Sequence, residues 1–437
     1  MTTRTLPQWL EFISHTHSSE IEMGLDRVKA VFNELKLNPY TAKIVLVAGT
    51  NGKGSTVAMI EASLLALGYR VGSYTSPHIL TYNERVRING LNVVDSVLVK
   101  AFDNVEKARH QIPLTYFEYG TLAAFDALFS IDLDVILLEI GLGGRLDAVN
   151  IIEPDISIIT SVSIDHADWL GNTVEEIGIE KAGILRKDAL FIGGENLPQT
   201  VLTKAELLAC DTFLCRSEFD VKESASGKMI DLTVDSVKQS FSGFPTSSLP
   251  DNNILISIQA VIHLLGMLQY SKAIDQQSYN AILGAIELLK LPGRLEKIEL
   301  SSGIDVFIDV GHNPHAAEFL KNFLLKNSIS EKKVQIVYSS LLDKDALGVM
   351  SILSPLVERC ILAPLDTERA MSLDQLLSCA SKSGMKNVLS FTSIDLAIEK
   401  ALSYSLDSAK NNEPVLTLIF GSFYIVEAAK RFFETYD

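Results

Sequence analysis

The chain has 437 residues, 47% hydrophobic and 21% charged. That is the balance of a folded protein of about two to four domains, and it excludes an intrinsically disordered one. Lys plus Arg number 38 against 54 Asp plus Glu, a formal net charge of −16; so acidic a chain is not expected to coat nucleic acid, although a local cationic pocket for a small anion is untouched by that argument. The four cysteines, Cys210, Cys215, Cys360 and Cys379, form no Cys-x-x-Cys pair, which argues against structural zinc and fits a reducing, cytoplasmic setting. Met1–Glu11 has no basic segment followed by an apolar run, so no secretory signal is expected. No apolar stretch approaches the ~20 residues that span a bilayer, and no membrane partner is expected.

In chain order, Lys43–Val47 reads as a buried parallel strand. It enters the glycine-rich turn Ala48–Ser55, and Thr56–Leu67 has helical character up to the stop signal Gly68. Arg70–Tyr74 is the next strand. The result is a β-loop-α-β unit with its glycine loop at a strand's carboxyl end, where open α/β sheets bind ligands. Val135–Ile140 enters Gly141-Leu142-Gly143-Gly144, Ile156–Thr160 enters Ser161–His166, and Thr173–Ile184 reads as a helix. The polar, alternating stretch from Phe213 to Phe244 reads as an antiparallel ribbon. Asn253–Leu268 and Tyr279–Leu289 look helical. Leu291-Pro292-Gly293-Arg294 breaks the pattern as a linker. Strands then recur at Val306–Val310, Val334–Tyr338, Cys360–Leu365, Val388–Phe391 and Val415–Phe420, with a last helix at Phe423–Phe433. This alternation predicts a second α/β domain with a mainly parallel sheet.

Gly49-Thr50-Asn51-Gly52-Lys53-Gly54-Ser55, followed by Thr56, is the sharpest motif. Glycines let backbone N–H groups turn toward phosphate oxygens, a lysine meets the terminal phosphates, and a hydroxyl stands ready for Mg²⁺. The spacing departs from G-x-x-x-x-G-K-[ST], because Val47 holds the first glycine's place and Gly54 separates Lys53 from Ser55. Gly141–Asp147 is a weaker signal and fits a sharp turn equally well. Ser76, Glu118 and His166 sit near predicted strand ends or helix starts and are candidate metal groups. The plain alternatives are an arginine partner for Glu118 and a hydrogen-bonded structural role for His166. Lys181, at the end of a helix, reads first as an answer to the helix dipole. Asp309-Val310-Gly311-His312-Asn313-Pro314-His315 puts a carboxylate, two imidazoles and an amide at a strand's carboxyl end.

Taken together, these segments resemble the folylpolyglutamate synthases of the Mur ligase superfamily. The resemblance rests on Ala48–Ser55, Thr75-Ser76-Pro77-His78, Glu84–Gly90, Leu138–Asp147, Ser163–His166 with Trp169-Leu170-Gly171, Glu180–Ile184, Leu291–Glu296, Asp309–His315 and Gly421-Ser422-Phe423. They run in family order over almost the whole chain. The implied fold is α/β, with an N-terminal P-loop-type ATPase domain of mainly parallel sheet (residues 1–291) and a smaller C-terminal Rossmann-like α/β domain (residues 292–437). The implied activity is ATP-dependent ligation: a substrate carboxylate becomes an acyl phosphate, and the amine of L-glutamate displaces phosphate. The resemblance assigns the phosphate cradle to Gly49, Thr50, Asn51, Gly52, Lys53, Gly54, Ser55 and Thr56. It assigns the β/γ charge to Lys53, the first Mg²⁺ to Ser76 and Glu118, and another to His166. Lys181 matches the family lysine carbamylated by CO₂, and K⁺ is a further implied cation. Arg294 and Asp309 match contacts to ATP, His312 lies at the reacting end, and Asn253 matches an adenine-side asparagine, with Asn252 adjacent. A monomer is implied.

Leu114–Leu122 resembles the bifunctional branch, whose substrates are dihydropteroate and reduced folates. The expected pterin walls are Ser76–Arg87 and Leu114–Leu122, with Phe117 or Tyr119 available to stack. The alternatives are an enzyme that only extends folates, a cell-wall amino-acid ligase, and a nucleotide-hydrolysing switch. The switch would leave Asp309–His315 without a use.

Overall fold

The computed structural model describes residues 4–436, apart from 18, 20–21, 38–40, 225–226, 235–236, 270–273 and 327–331. The chain divides into two compact units, Met1–Leu289 and Lys290–Asp437.

The first unit is built on a sheet of eight strands: β1 (Lys43–Ala48), β2 (Val71–Tyr74), β3 (Val86–Ile88), β4 (Leu91–Asn92), β5 (Val135–Glu139), β6 (Ile156–Ile159), β7 (Leu190–Gly193) and β8 (Asp211–Leu214). Their order is β4-β3-β2-β5-β1-β6-β7-β8. The pairs from β2 to β8 are parallel, and the pairs β2–β3 and β3–β4 are antiparallel. β1 lies at the centre because, after Lys43 at its start, it is apolar and buried, as a strand covered by helices on both faces must be. The chain leaves β1 toward β2 on one side and later returns to β6 on the other. The loops after β1, β5 and β6 therefore meet at a topological switch point.

Helix Lys53–Ala66 carries the glycine loop and is buried on most of its surface. Helix Asp251–Gln269 packs beside it. By length and composition that second helix is long and apolar enough to cross a membrane, contrary to the expectation that no segment would be, but most of it is buried inside the unit. The ribbon expected between Phe213 and Phe244 is a separate antiparallel sheet, ordered β11-β10-β9, of β9 (Asp220–Ser224), β10 (Gly227–Val234) and β11 (Val237–Ser242). It begins seven residues later than expected because Asp211–Leu214 joins the main sheet as β8.

The second unit has a six-stranded sheet, ordered β12-β13-β17-β14-β15-β16: β12 (Glu296–Ile298), β13 (Asp305–Asp309), β14 (Lys333–Tyr338), β15 (Arg359–Leu362), β16 (Val388–Ser390) and β17 (Val415–Phe420). All pairs are parallel except β12 with β13. It has its own hydrophobic core, in which Tyr338, Ile336, Leu418 and Phe420 pack with Leu320 and Met350 from the covering helices. As the strand–helix alternation predicts, the protein is α/β with large, mainly parallel sheets.

Candidate active site

The glycine loop is held in shape by its neighbours. At Gly49, φ is +152° and an added Cβ would stand 1.9 Å from Thr160 Oγ1. At Gly52, φ is +87° and a Cβ would stand 2.4 Å from Asn253 Nδ2. Neither position tolerates a side chain. The loop is also tied to the segment after β6. The Thr50 N–H donates to Ser161 O (2.8 Å), and Thr50 Oγ1 donates to Ser163 O and accepts from the Ser163 N–H, each at 3.0 Å. The Asn51 N–H meets Ser161 Oγ at 3.1 Å, and Thr160 Oγ1 donates to Asn51 O at 2.6 Å. Beyond this bracing the helix begins at Lys53 with no side-chain cap. Its first-turn N–H groups have no intrahelical acceptor, and they point with the helix dipole at whatever anion lies over the loop. Lys53 Nζ folds back to Gly49 O (3.1 Å) and Thr50 O (3.4 Å), a cation kept at the loop. The buried Thr56 Oγ1 has no hydrogen-bond partner among the described residues.

Oxygen groups converge beside the loop. Ser76 follows β2, and its N–H donates to Glu139 Oε2 at 3.0 Å. Glu139 ends β5 at 5% exposure, and its Oε2 lies 3.5 Å from where a Cβ on Gly54 would stand. The acid beside the loop is Glu139 and not Glu118, the carboxylate that the resemblance assigns to metal. The structure spends Glu118 elsewhere: Oε1 takes Arg27 Nη2 at 2.8 Å, and Oε2 takes the Thr115 N–H at 2.8 Å in the capping box of helix Tyr116–Phe129. Glu118 thus has the arginine partner of its plainer reading.

Lys181 is 3% exposed. Burial, with the like charge of Lys53, pushes its ammonium down to about 7, against the pull of Asp165 and Asp147. A buried lysine near neutrality carries a free amine, the form that reacts with CO₂. The Gly141–Asp147 turn positions it. A Cβ at Gly144 would stand 2.7 Å from Glu180 O and 3.1 Å from Lys181 Cα, so only glycine lets the turn touch this helix. Asp147 accepts the N–H groups of Leu142 (2.8 Å) and Val149 (2.9 Å), while burial raises its carboxyl to about 6. His166 holds a left-handed backbone, φ 52°, at the start of helix Ala167–Leu170. Among the described residues, no cluster of three or more His, Cys, Asp or Glu forms a ready-made metal cage. Mg²⁺ suits such a site, since it takes one or two protein oxygens and fills its shell with phosphates and water.

Of the two adjacent asparagines, Asn252 is committed to structure. Its Nδ2 donates to Thr160 O (3.1 Å), and its Oδ1 accepts from the Glu195 N–H (3.0 Å). Asn253 is the one set against Gly52. The two aromatics named as stacking partners also separate. Tyr119 is fully buried with its hydroxyl on Glu106 Oε2 (2.7 Å), whereas the half-buried Phe117 ring lies against Gly141, where a Cβ would meet it at 2.4 Å.

In the second unit, Asp309 ends β13 at 7% exposure and accepts the N–H groups of Leu295 (2.8 Å) and Gly311 (2.7 Å). Burial raises its carboxyl, opposed by Arg294 and His312. The Arg294 guanidinium sits 5.3 Å over the Phe423 ring. His312 Nδ1 is 2.9 Å from Val310 O. Donation there leaves Nε2 as the basic nitrogen. The unit thus gathers Arg294, Asp309 and His312 at the carboxyl end of β13.

Known proteins resemble this chain over nearly its whole length. Residues 47–194 match the Mur ligase middle domain, and residues 293–423 match the Mur ligase glutamate ligase domain. The dihydrofolate synthase/folylpolyglutamate synthase of Haemophilus influenzae is 36% identical over 433 residues, covering 97% of this chain and 96% of the relative. That of Escherichia coli is 36% identical over 422 residues, covering 96% and 94%. Among solved structures, E. coli FolC in complex with DHPP and ADP superposes with a TM-score of 0.88 at 34% identity, covering 99% of this chain and 98% of that one. The Yersinia pestis bifunctional enzyme complexed with AMPPNP and Mn ion gives 0.86 at 35% identity, covering 98% of each.

Proposed function

Because the chain belongs to the dihydrofolate synthase/folylpolyglutamate synthase family of Mur ligases, we propose that it is an ATP-dependent ligase joining L-glutamate to 7,8-dihydropteroate and to reduced folates. The observation that carries the reading is the braced glycine loop, with Lys53 folded over it and the Ser76–Glu139 pair beside it.

The first-turn N–H groups and Lys53 hold the β- and γ-phosphates of ATP. Ser76, Glu139 and His166 hold divalent metal, with Lys181 contributing as its carbamate, an oxygen ligand made from a lysine. Glu139 takes the place first given to Glu118. The metal supplies charge neutralisation on the phosphate oxygens. A substrate carboxylate oxygen attacks the γ-phosphorus; the bond to the β–γ bridging oxygen breaks, leaving ADP and an acyl phosphate. Little covalent work falls to the protein, and positioning with charge neutralisation does most of it. The glutamate amine then attacks the acyl carbon, phosphate leaves with the C–O bonding pair, and His312 Nε2 takes the amine's proton. Asn253 serves the adenine side, Arg294 and Asp309 serve ATP from the second unit, and Phe117 stacks on the pterin.

The test is purified protein with ATP, Mg²⁺ and glutamate, offered dihydropteroate or tetrahydrofolate, with products read by mass spectrometry. Addition of at least one glutamate to each acid is expected. Conversion of tetrahydrofolate alone reduces the protein to a folate-extending enzyme. ATP hydrolysis indifferent to glutamate and pterin overturns the reading in favour of a nucleotide switch. K⁺ belongs to the same proposal and is read by replacing it with Na⁺; the monomer is read by light scattering.

A further inference from the structure

Arg85 is 8% exposed, yet among the described residues no carboxylate pairs with it. Other arginines in the same unit do pair: Arg87 with Glu61 (3.3 Å), Arg27 with Glu118 (2.8 Å) and Arg109 with Glu106 (2.7 Å). The groups around Arg85 are neutral. Nε donates to His78 Nδ1 at 2.9 Å, and the side chain hydrogen-bonds Tyr74. The guanidinium lies 5.1 Å from the Tyr82 ring centroid and 5.6 Å from that of Tyr116. His78 Nδ1 accepts the hydrogen bond from Arg85 Nε, so the histidine supplies no counter-charge. The Tyr82 hydroxyl, on a side chain 4% exposed, has no hydrogen-bond partner among the described residues. A desolvated cation without a counter-charge is costly, and a cage of tyrosines offsets only part of that cost.

The cage adjoins the reacting end of the site. The Thr75 N–H donates to Arg85 O (2.9 Å), and the next residue is Ser76, bonded to Glu139. Tyr74, which Arg85 touches, stacks with Phe117 at 6.3 Å. The two proposed substrates differ here in charge. Dihydropteroate has one carboxylate, and it reacts. A folate reacts through its γ-carboxylate and keeps its α-carboxylate, three carbon atoms away, as a standing negative charge that must go somewhere in the site.

We propose that Arg85, in its cage of Tyr74, His78, Tyr82 and Tyr116, receives the α-carboxylate of a folate substrate and so determines the second activity. The inference rests on the bifunctional reading above. Arg85 binds through charge-assisted hydrogen bonds that a planar guanidinium makes well, and the Tyr82 hydroxyl is available as a further donor. Because the α-carboxylate is ionised before and after reaction, the contact acts on substrate binding and appears in KM more than in kcat.

The experiment compares wild type and Arg85→Gln with three acids: dihydropteroate, tetrahydrofolate, and the tetrahydrofolate analogue with γ-aminobutyrate in place of glutamate, which lacks only the α-carboxylate. Wild type is expected to use the analogue roughly 10–100-fold less efficiently than tetrahydrofolate, mainly through KM. Arg85→Gln is expected to use the two alike, and to lose at least tenfold more efficiency with tetrahydrofolate than with dihydropteroate. Equal losses on dihydropteroate and tetrahydrofolate would make Arg85 a structural prop and overturn the inference. Should Arg85→Gln fail to fold, the wild-type comparison still decides, because an analogue used as well as tetrahydrofolate overturns it. Wild type that ligates none of the three acids overturns the proposed function itself; wild type that ligates all without discrimination overturns only the role of Arg85.

Discussion

Glu118 and Glu139 look alike in the sequence, each an acid among apolar neighbours, yet the structure uses them differently. The signal that separates them is local. Thr115-x-x-Glu118 has capping-box spacing, which turns the carboxylate back onto the helix start. Glu139 instead closes an apolar strand just before a glycine cluster, and only the pairing of β5 beside β1 brings it to the loop. Asn253 was ambiguous for the same reason, since residue type cannot say which of two adjacent amides faces the glycines. Glu139→Gln is expected to fold normally and lose at least 100-fold in kcat. Glu118→Gln is expected to lose about 1–3 kcal/mol of stability as Arg27 loses its buried partner, with kcat within a few-fold for the folded fraction. Steady-state kinetics beside urea denaturation decide between them, and the reverse pattern would restore Glu118 as the ligand. Lys53→Ala removes the cation folded over the loop while the backbone cradle stays. It should fold and turn over slower by orders of magnitude, which single-turnover rates would show. Lys181→Arg keeps a cation but cannot form a carbamate. Near-inactivity with partial rescue by acetate is expected in steady-state assays, and full activity would return Lys181 to an ordinary ion-pairing role.

At the level of elements, the strands were legible where apolar runs are bounded by glycine or proline, as at β1, β13 and β17. Tyr116–Phe129 was not read as a helix because it is buried nearly all round, and without a polar face it has no period to detect. β7 and β8 have only four residues each and depend on their neighbours in the sheet. Gly421 and Gly384 show how tertiary context separates two residues that look the same. Both have positive φ, 129° and 77°. A Cβ at Gly421 would stand 1.9 Å from the backbone Ser339 O, whereas at Gly384 nothing lies within 4 Å. Gly421→Ala is therefore expected to cost roughly 3 kcal/mol, and Gly384→Ala about 1 kcal/mol, the strain of a left-handed helix cap alone. Urea unfolding midpoints measure both, and equal losses would show that the close approach to Ser339 contributes nothing.

For the whole molecule, the division into two α/β parts was visible from the break at Leu291–Arg294, because a parallel sheet must restart its own alternation. How the parts work together is not a local property, and no periodicity records it. The proposed groups are split: the phosphate loop, Ser76, Glu139 and Lys181 belong to the first unit, and Arg294, Asp309 and His312 to the second. Acyl transfer requires ATP and both substrates to be oriented together. Residues 1–289 and 290–437 expressed separately are each expected to give no ligation; product formed by the first unit alone, read by mass spectrometry, would remove the second unit from the chemistry.

The reciprocal hydrogen bonds between Thr50 and Ser163 bear on the order of binding. They fasten the phosphate loop to the segment that leads to His166, so the two behave as a single mechanical part. A nucleotide that immobilises Thr50 also immobilises the approach to His166, and the ordering entropy is lost once rather than twice. Thermodynamic reciprocity then requires metal and nucleotide to raise each other's affinity by one and the same factor. Thr50→Val removes the two hydrogen bonds to Ser163 while those to Thr160 and Ser161 remain, so the mutual factor is expected to shrink, read by titrating nucleotide with and without metal.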